Sequence, residues 1–288
     1  MANEITTTSA DDLSIAAELL AADILEAFYG LNTAGGMVRY ANIAGAPTKA
    51  KDFPITPVLS ASSLAEGADM PNTAFTTTKA TITAGEVGLL LTLTDLLSAS
   101  DIVEDGFYAS QGGRALASKV TTDIASLGSG FGSQCGATTV ALSEANVLAG
   151  LVILKSAGVP GPYKGLLHPK QWQDLAASIG STLTTFGRGG SDPRDVGNDL
   201  VGRVDGALGR ALGIDWYETH LVPTATAGAD RLGMIVSQPN ALGFVSKWEA
   251  RVEFQRDASL RAREIAITAC YGVGELRDVA GLGVLTGA

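Results

Sequence analysis

The sequence predicts an α+β fold, and three observations carry that prediction. A long helical pattern runs from Gly106 to Gly128; strand-patterned segments stand directly before it; long, charged, alternating segments follow Ala241. Between helix and closing strands, strand, helix and strand succeed one another at α/β spacing from about Leu142 to Gln238.

The helical stretch GFYASQGGRALASKVTTDIASLG is the organising element. Phe107, Leu116, Val120, Ile124 and Leu127 lie mostly three or four apart, so from Arg114 onward they share one face. Asp105 is placed to cap its start and Gly128 its end. The Gly112–Gly113 pair weakens the middle, since a helical glycine costs up to about 1 kcal/mol against alanine. That predicts either a bend or close approach by another backbone.

The elements before it follow from local pattern. After a polar Met1–Ala10, the residues Leu13, Ala17, Leu20, Ile24 and Phe28 follow one helical face, with Ser9 as cap and Gly30 as stop. Met37, Arg39 and Tyr40 suggest a strand, and Asp52 to Pro57 reads as extended chain because each proline restricts its predecessor. Ser60 to Thr77 is poor in large apolar residues, which marks a binding or packing loop and not a core element. Thr78–Thr83 and Glu86–Thr94 alternate as strands, with Val87, Leu89, Leu91 and Leu93 on one face and a turn at Ala84-Gly85. Together they predict an exposed β-hairpin arm.

After the helix, Ser129 to Ala137 reads as a glycine-rich crossover. Ser143 caps a helix carrying Val147, Leu148, Leu151, Val152 and Leu154, which Gly158 ends. Tyr163–Leu167 is a strand; His168-Pro169 opens a helix through Ser178 with Trp172 and Leu175 toward its core. Glycines 187, 189 and 190 with Pro193 predict a loop, then Gly213–Thr219 and Arg231–Val236 predict strands. Val252, Phe254, Leu260, Ala262, Ile265, Ile267, Ala269 and Tyr271 alternate with charged and hydroxyl residues. Their phase slips near Arg263, which predicts a bulge or bend there.

Composition narrows the function classes. Only 17% of the 288 residues are charged, 46% are hydrophobic and 35 are glycine. So few charges predict surfaces covered by partners. A net charge of −10 opposes a protein whose main task is gripping phosphate backbones, though not one that encloses nucleic acid. Two cysteines, Cys135 and Cys270, and a polar N-terminus predict synthesis in a reducing cytoplasm without a signal peptide. No stretch approaches the ~18 apolar residues of a membrane helix.

The catalytic patterns are weak. There is no GxxxxGK[ST], GxSxG, HExxH or ordered CxxC set. Gly128-Ser129-Gly130-Phe131-Gly132-Ser133 follows a helix, the wrong context for a phosphate cradle. Cys135 with His168 or His220 would make a nucleophile pair only if folding joined them; otherwise the thiol is unremarkable, and His168 caps its helix. Two histidines and two cysteines far apart do not make a zinc site. Asp95, Asp101, Glu104 and Asp105 suit metal or paired-carboxylate chemistry less well than capping of the long helix. Arg251, Arg256, Arg261 and Arg263 alternate with Glu249, Glu253, Asp257 and Glu264, which favours ion pairs within the sheet or between subunits over nucleic-acid contact. No catalytic, cofactor or metal residue is assigned.

The order of these elements resembles the major capsid proteins of tailed double-stranded DNA bacteriophages, the HK97-type family. LSIAAELLAADILEAFYG looks like the N-terminal arm region, and FPITPVLSASSLAEGADMPNTAFTTTKATITAGEVGLLLTLTDLLSAS like the extended E-loop with its return strand. DGFYASQGGRALASKVTTDIASL resembles the spine helix. VLAGLVILKSAG and YKGLLHPKQWQDLAA resemble the axial-domain core, with GIDWYETHLVP a late axial strand. VEFQRDASLRAREIAITACYGVGELRDVAGLGVL resembles the peripheral sheet.

The resemblance implies an HK97-type capsid fold: long spine helix, extended β-arm, α/β axial domain and peripheral β-sheet. It divides the chain into an N-terminal arm with amphipathic helix (1–46), E-loop and return strands (47–95), and the peripheral-domain spine helix (96–141). An axial domain (142–238), the long peripheral strands (239–275) and a C-terminal segment (276–288) follow. It further implies a non-enzymatic subunit forming pentamers and hexamers of an icosahedral shell around double-stranded DNA, assembled in the bacterial cytoplasm and resident in the virion. Partners would be further copies of itself, a separate scaffolding protein, a portal and a decoration protein. Some members cross-link an E-loop lysine to a neighbour's asparagine; Lys49, Lys51 and Lys79 align with no such lysine, so no cross-link is expected. An encapsulin-like nanocompartment shell shares the fold and is the nearest alternative. A small α/β enzyme and a decoration or tail protein are remoter ones.

Overall fold

The computed structural model describes residues 34–56, 76–96, 105–185 and 209–287, with positions 61, 63, 66, 67, 69 and 70 between the first two ranges. The expected helix over Leu13–Phe28, most of the arm between Ser60 and Thr77, Asp101, Glu104 and the Gly187–Pro193 loop lie outside them.

The architecture is α+β. Helix α1 (Asp105–Ser126) packs on a four-stranded sheet and shares an apolar cluster with residues of a seven-stranded one. The smaller sheet has the order β1-β11-β12-β4, built from β1 (Arg39–Asn42), β11 (Leu242–Asp257), β12 (Ala262–Glu275) and β4 (Gly85–Thr94). The larger one runs β5-β13-β10-β6-β8-β7. Its strands are β5 (Gln134–Gly136), β13 (Gly281–Gly287), β10 (Asp230–Ser237), β6 (Tyr163–Leu167), β8 (Ile214–Glu218) and β7 (Gly209–Ala211), with β9 (Thr224–Ala225) beside β10. Helices α2 (Glu144–Ser156) and α3 (Pro169–Thr185) join a second core with Trp216, Ile235 and Leu282 of this sheet. A separate ribbon pairs β2 (Ala50–Ile55) with β3 (Thr78–Thr83).

The helix spacing explains this layering. Leu116, Val120 and Ile124 are buried, as their periodicity requires, and each such side chain removed from water contributes about 1.5–3 kcal/mol. They share one apolar cluster with Leu93, Ile265 and Ile267 of the small sheet and with Leu166, Met234 and Val236 of the large one. The strand pattern holds equally well. Ile265, Ile267, Ala269 and Tyr271 enter this cluster while Cys270, on the other face of β12, joins a third cluster with Phe53, Ile82 and Val245.

Tyr271 also ties strand to helix. Its hydroxyl donates to Asp123 Oδ2 at 2.7 Å, while Lys119 Nζ holds Oδ1 at 2.6 Å. Burial first, then Asp123, pushes the phenol well above its ordinary range. Tyr271→Phe is expected to cost about 1.5–2 kcal/mol, the lower end for a hydrogen bond to a charged group because Lys119 remains. Urea denaturation of the two full-length chains measures it.

Several details differ from the sequence expectations. Gly112 is approached by the Ile267 and Leu89 side chains of the small sheet and not by another backbone, and α1 runs through the pair unbroken. Gly128 stands in a 3-10 turn (Leu127–Ser129) and does not take the left-handed conformation of a helix-ending glycine. It stands close to β10, where a Cβ would lie 3.3 Å from Met234 Cβ. Asp105 is itself helical and so is not the cap before the helix; the residues preceding it lie outside the described ones.

Ala84-Gly85 is not a hairpin turn. The chain crosses there from the β2–β3 ribbon to the small sheet, and Gly272 leaves room for it, since a Cβ would strike the Thr83 and Ala84 backbone. No bulge occurs near Arg263, where the register Arg256↔Arg263, Gln255↔Glu264, Phe254↔Ile265 is continuous. Leu260 belongs to the preceding turn, so the apparent slip compared a turn residue with strand residues. The irregularities flank Trp248 instead.

The supposed crossover after α1 contains β5, parallel to β13. The C-terminal strand β13 itself is interior to the large sheet, between β5 and β10.

Candidate functional site

The ribbon β2–β3 projects from the small sheet on a short apolar root. Phe53, Ile82 and Ala84 are buried with Val245, Cys270 and Leu276, while most of the remaining ribbon positions are exposed. At mid-ribbon both oxygens of Asp52 are engaged. Lys79 Nζ donates to Oδ2 at 2.7 Å and Thr81 Oγ1 to Oδ1 at 2.6 Å. The hydrogen bond from Lys79, then that from Thr81, holds the Asp52 carboxyl below its ordinary range. A pair this exposed contributes little stability. Its consequence is register: Asp52 faces Thr81 and Ile55 faces Thr78, so chain leaving at Thr56 returns at Thr78 directly opposite.

Helix α2 carries a second surface. Ser143 Oγ accepts from Asn146 N, Gly158 ends the helix at φ +69°, and Val147, Leu151 and Leu154 are buried against the sheet. The outward side is apolar as well: Leu148 is 44% and Val152 62% exposed, with Ala145 and Ala149 beside them. A helix apolar all round is normally covered all round. Leu90 and Leu96, 58% and 81% exposed, add apolar surface around the small sheet.

The catalytic candidates are not assembled. Cys135 sits in the second core among Leu142, Val147 and Leu151, and burial pushes its thiol up to about 12 with only a backbone hydrogen bond acting the other way. A thiol held protonated is a poor nucleophile. His168 caps α3 as expected: its Nδ1 accepts from Lys170 N at 3.2 Å. Burial, then Arg231 and His220, lower its pKa. Asp95 accepts both arms of Arg256, at 3.1 and 2.7 Å. Arg251 stacks over Trp248 at 4.9 Å. Within this arginine group Arg256 pairs with Asp95, the residue that follows β4 of the same sheet. Among the described residues, no three of His, Cys, Asp and Glu are placed to hold a metal ion.

Sequence reading missed Gln171. It is fully buried; its Oε1 accepts from His168 N while Nε2 donates to Arg231 O, Val284 O and Thr286 Oγ1. The legible signal was its place three residues after the helix cap, where Glu or Gln completes a reciprocal cap.

The sequence matches no protein-family model and no curated protein. Solved structures match across nearly the whole chain. The capsid of the cyanophage P-SCSP1u superposes with a TM-score of 0.63 at 16% identity over 87% of this chain and 86% of that one. A chain of Mycobacterium phage Che8 gives 0.63 at 18% over 83% and 84%. The capsid of Helicobacter pylori bacteriophage KHP30 gives 0.63 at 12% over 88% and 90%. The fold is the HK97-type capsid fold.

Proposed function

We propose that this chain is a structural subunit that assembles with copies of itself into the pentamers and hexamers of an icosahedral capsid. The observation that carries the reading is agreement with a solved phage capsid structure over 87% of this chain, at a TM-score of 0.63. Exposed apolar residues support it: the outer side of α2, Leu90 and Leu96 make physical sense when further copies cover them.

The assembly encloses double-stranded DNA and resides in the virion after assembly in the bacterial cytoplasm. Contact with DNA is weak and non-specific, because the chain carries a net charge of −10 and Arg256 and Arg251 are already engaged. A separate scaffolding protein guides closure, with a portal and a decoration protein as further partners. Residues 47–95 act as the arm, 96–141 and 239–275 as the peripheral part, and 142–238 as the axial part. Residues 276–288 strengthen the axial sheet. Lys79 is not a cross-linking lysine in this reading, as neither it nor Lys49 or Lys51 aligns with one.

Negative-stain electron microscopy with size-exclusion chromatography tests the proposal on purified chain, alone and with a co-expressed candidate scaffold. Closed shells or capsomer rings are the expected result. A persistent monomer or dimer in both conditions would overturn it, and closed shells around a protein cargo without any scaffold would assign the nanocompartment alternative instead.

A further inference from the structure

Helix α1 packs on β12 and β4, one half of the small sheet. On the other half, a cavity of about 340 Å³ opens over β1 and β11. Its floor is aromatic. Tyr40 of β1 stacks on Phe244 of β11 at 5.8 Å, and Phe244 on Tyr271 of β12 at 5.5 Å, so the rings run across three neighbouring strands. Phe244 and Tyr271 are buried in the cluster that holds the apolar face of α1, whereas Tyr40, on the edge strand, is 53% exposed. An exposed ring that continues a buried stack is apolar surface suited to a cover.

The chain enters the described fold at this cavity. Gly35 and Gly36 themselves line it, and the backbone around them is anchored. Ala34 and Met37 have no exposed surface, and Met37 N donates to Ala34 O at 3.0 Å. Lys164 Nζ, from β6 of the large sheet, donates to Gly36 O at 2.6 Å. Only Leu31, Asn32 and Thr33 separate this anchor from Gly30, which holds Gly30 within about 14 Å of Ala34 even across fully extended chain. Upstream, Leu13, Ala17, Leu20, Ile24 and Phe28 share one helical face by sequence, while Asp11, Asp12, Glu18, Asp23 and Glu26 fall on the other. Such a helix needs an apolar surface along one side, and the aromatic floor is within reach of its C-terminal end.

We propose that residues 13–28 dock as a helix on the β1–β11 half of the small sheet of their own subunit, with the end carrying Ile24 and Phe28 over the Tyr40–Phe244–Tyr271 floor. Chain length selects this occupant. Phe28 stays within about 21 Å of Ala34, which favours the cavity that Gly35 and Gly36 line over the equivalent one on another copy. Charge agrees with the docked face. Glu249 is the one charged residue among the described ones lining the cavity, and it is exposed. The acids of the segment, on its opposite face, need not approach Glu249, and its Leu, Ile and Phe side chains meet aromatic rings.

The test is hydrogen–deuterium exchange read by mass spectrometry on the full chain, wild type, Ile24→Glu and Tyr40→Glu, at a concentration where size-exclusion chromatography shows the unassembled subunit. It reads one subunit, so it succeeds or fails independently of shell formation. Tyr40→Glu changes a half-exposed edge residue, and Ile24→Glu changes only the segment, so each leaves the cores intact. In wild type, peptides covering 13–28 are expected to exchange at least about tenfold more slowly than free chain; both variants should lose that protection while α1 peptides keep theirs. Free exchange of 13–28 in the wild-type subunit would overturn the proposal and leave the cavity to a partner protein. Protection that appears only on assembly would overturn it in favour of another copy's segment. Protection that survives either substitution would overturn it too, by placing the segment away from the aromatic floor.

Discussion

Replacing Trp216 with alanine is expected to destabilise the subunit by about 3–5 kcal/mol, the range for removing a fully buried large aromatic side chain. Trp216 has no exposed surface and joins the second core with Leu167, Leu175, Ile235 and Leu282. Its ring occupies space that exists only because the paired residue on β6 is Gly165, where a Cβ would overlap the indole. Its Nε1 donates to Ala211 O at 3.1 Å, joining β8 to the end of β7, and Trp172 of α3 stands 6.4 Å away. The truncation therefore opens a cavity between helix layer and sheet and removes a donor from Ala211. Against a total stability of about 5–15 kcal/mol for a domain, such a loss leaves a small margin. Denaturant unfolding of wild type, Trp216→Ala and Trp216→Phe measures it. Phenylalanine should recover more than half, since it refills most of the volume but not the hydrogen bond. A loss below about 1.5 kcal/mol for the alanine variant would mean that the second core collapses around the gap.

What the sequence made legible here was set by periodicity. Leu116, Val120 and Ile124 repeat at helical spacing, and Ile265, Ile267, Ala269 and Tyr271 at strand spacing; both sets are buried where the pattern puts them. Caps were equally readable at Ser143, His168 and Gly158, because each is a local event between residues a few positions apart. Pairing between distant segments was not readable. Strand β5 has three residues with one apolar side chain, Cys135, and exists because β13, almost 150 positions later, offers it a ladder. Ala84-Gly85 has the composition of a turn, and only the separate partners of β3 and β4 make it a crossing between sheets. The Asp123–Tyr271 and Gly132–Asp278 contacts also depend on tertiary placement. The apolar character of α2 was visible, Leu148 and Val152 included, but sequence alone does not say which side of an all-apolar helix a sheet covers.

Deleting Ser60 to Thr77 is expected to leave a folded subunit and to abolish shell formation. The ribbon register makes the first half concrete. Ile55 and Thr78 are already paired, so the deletion leaves Thr56, Pro57, Val58 and Leu59 to connect them, a four-residue hairpin loop of ordinary length. Shortening the connection lowers its closure entropy, which favours the folded subunit by about 1–2 kcal/mol. Phe53 and Ile82, which root the ribbon in the third core, are untouched. The second half rests on the proposed function. The deleted stretch contributes few large apolar residues to any core of its own, so its retention makes sense through contacts made to other copies, where many weak interfaces act together. Circular dichroism and thermal melting should show the wild-type fold, while microscopy shows no closed shells under conditions in which the intact chain forms them. Normal-sized shells from the deleted chain would remove the arm from the assembly and leave the surfaces around α2 and the small sheet to carry it. An unfolded product would place the arm in the subunit's own core, contrary to the register that closes the ribbon without it.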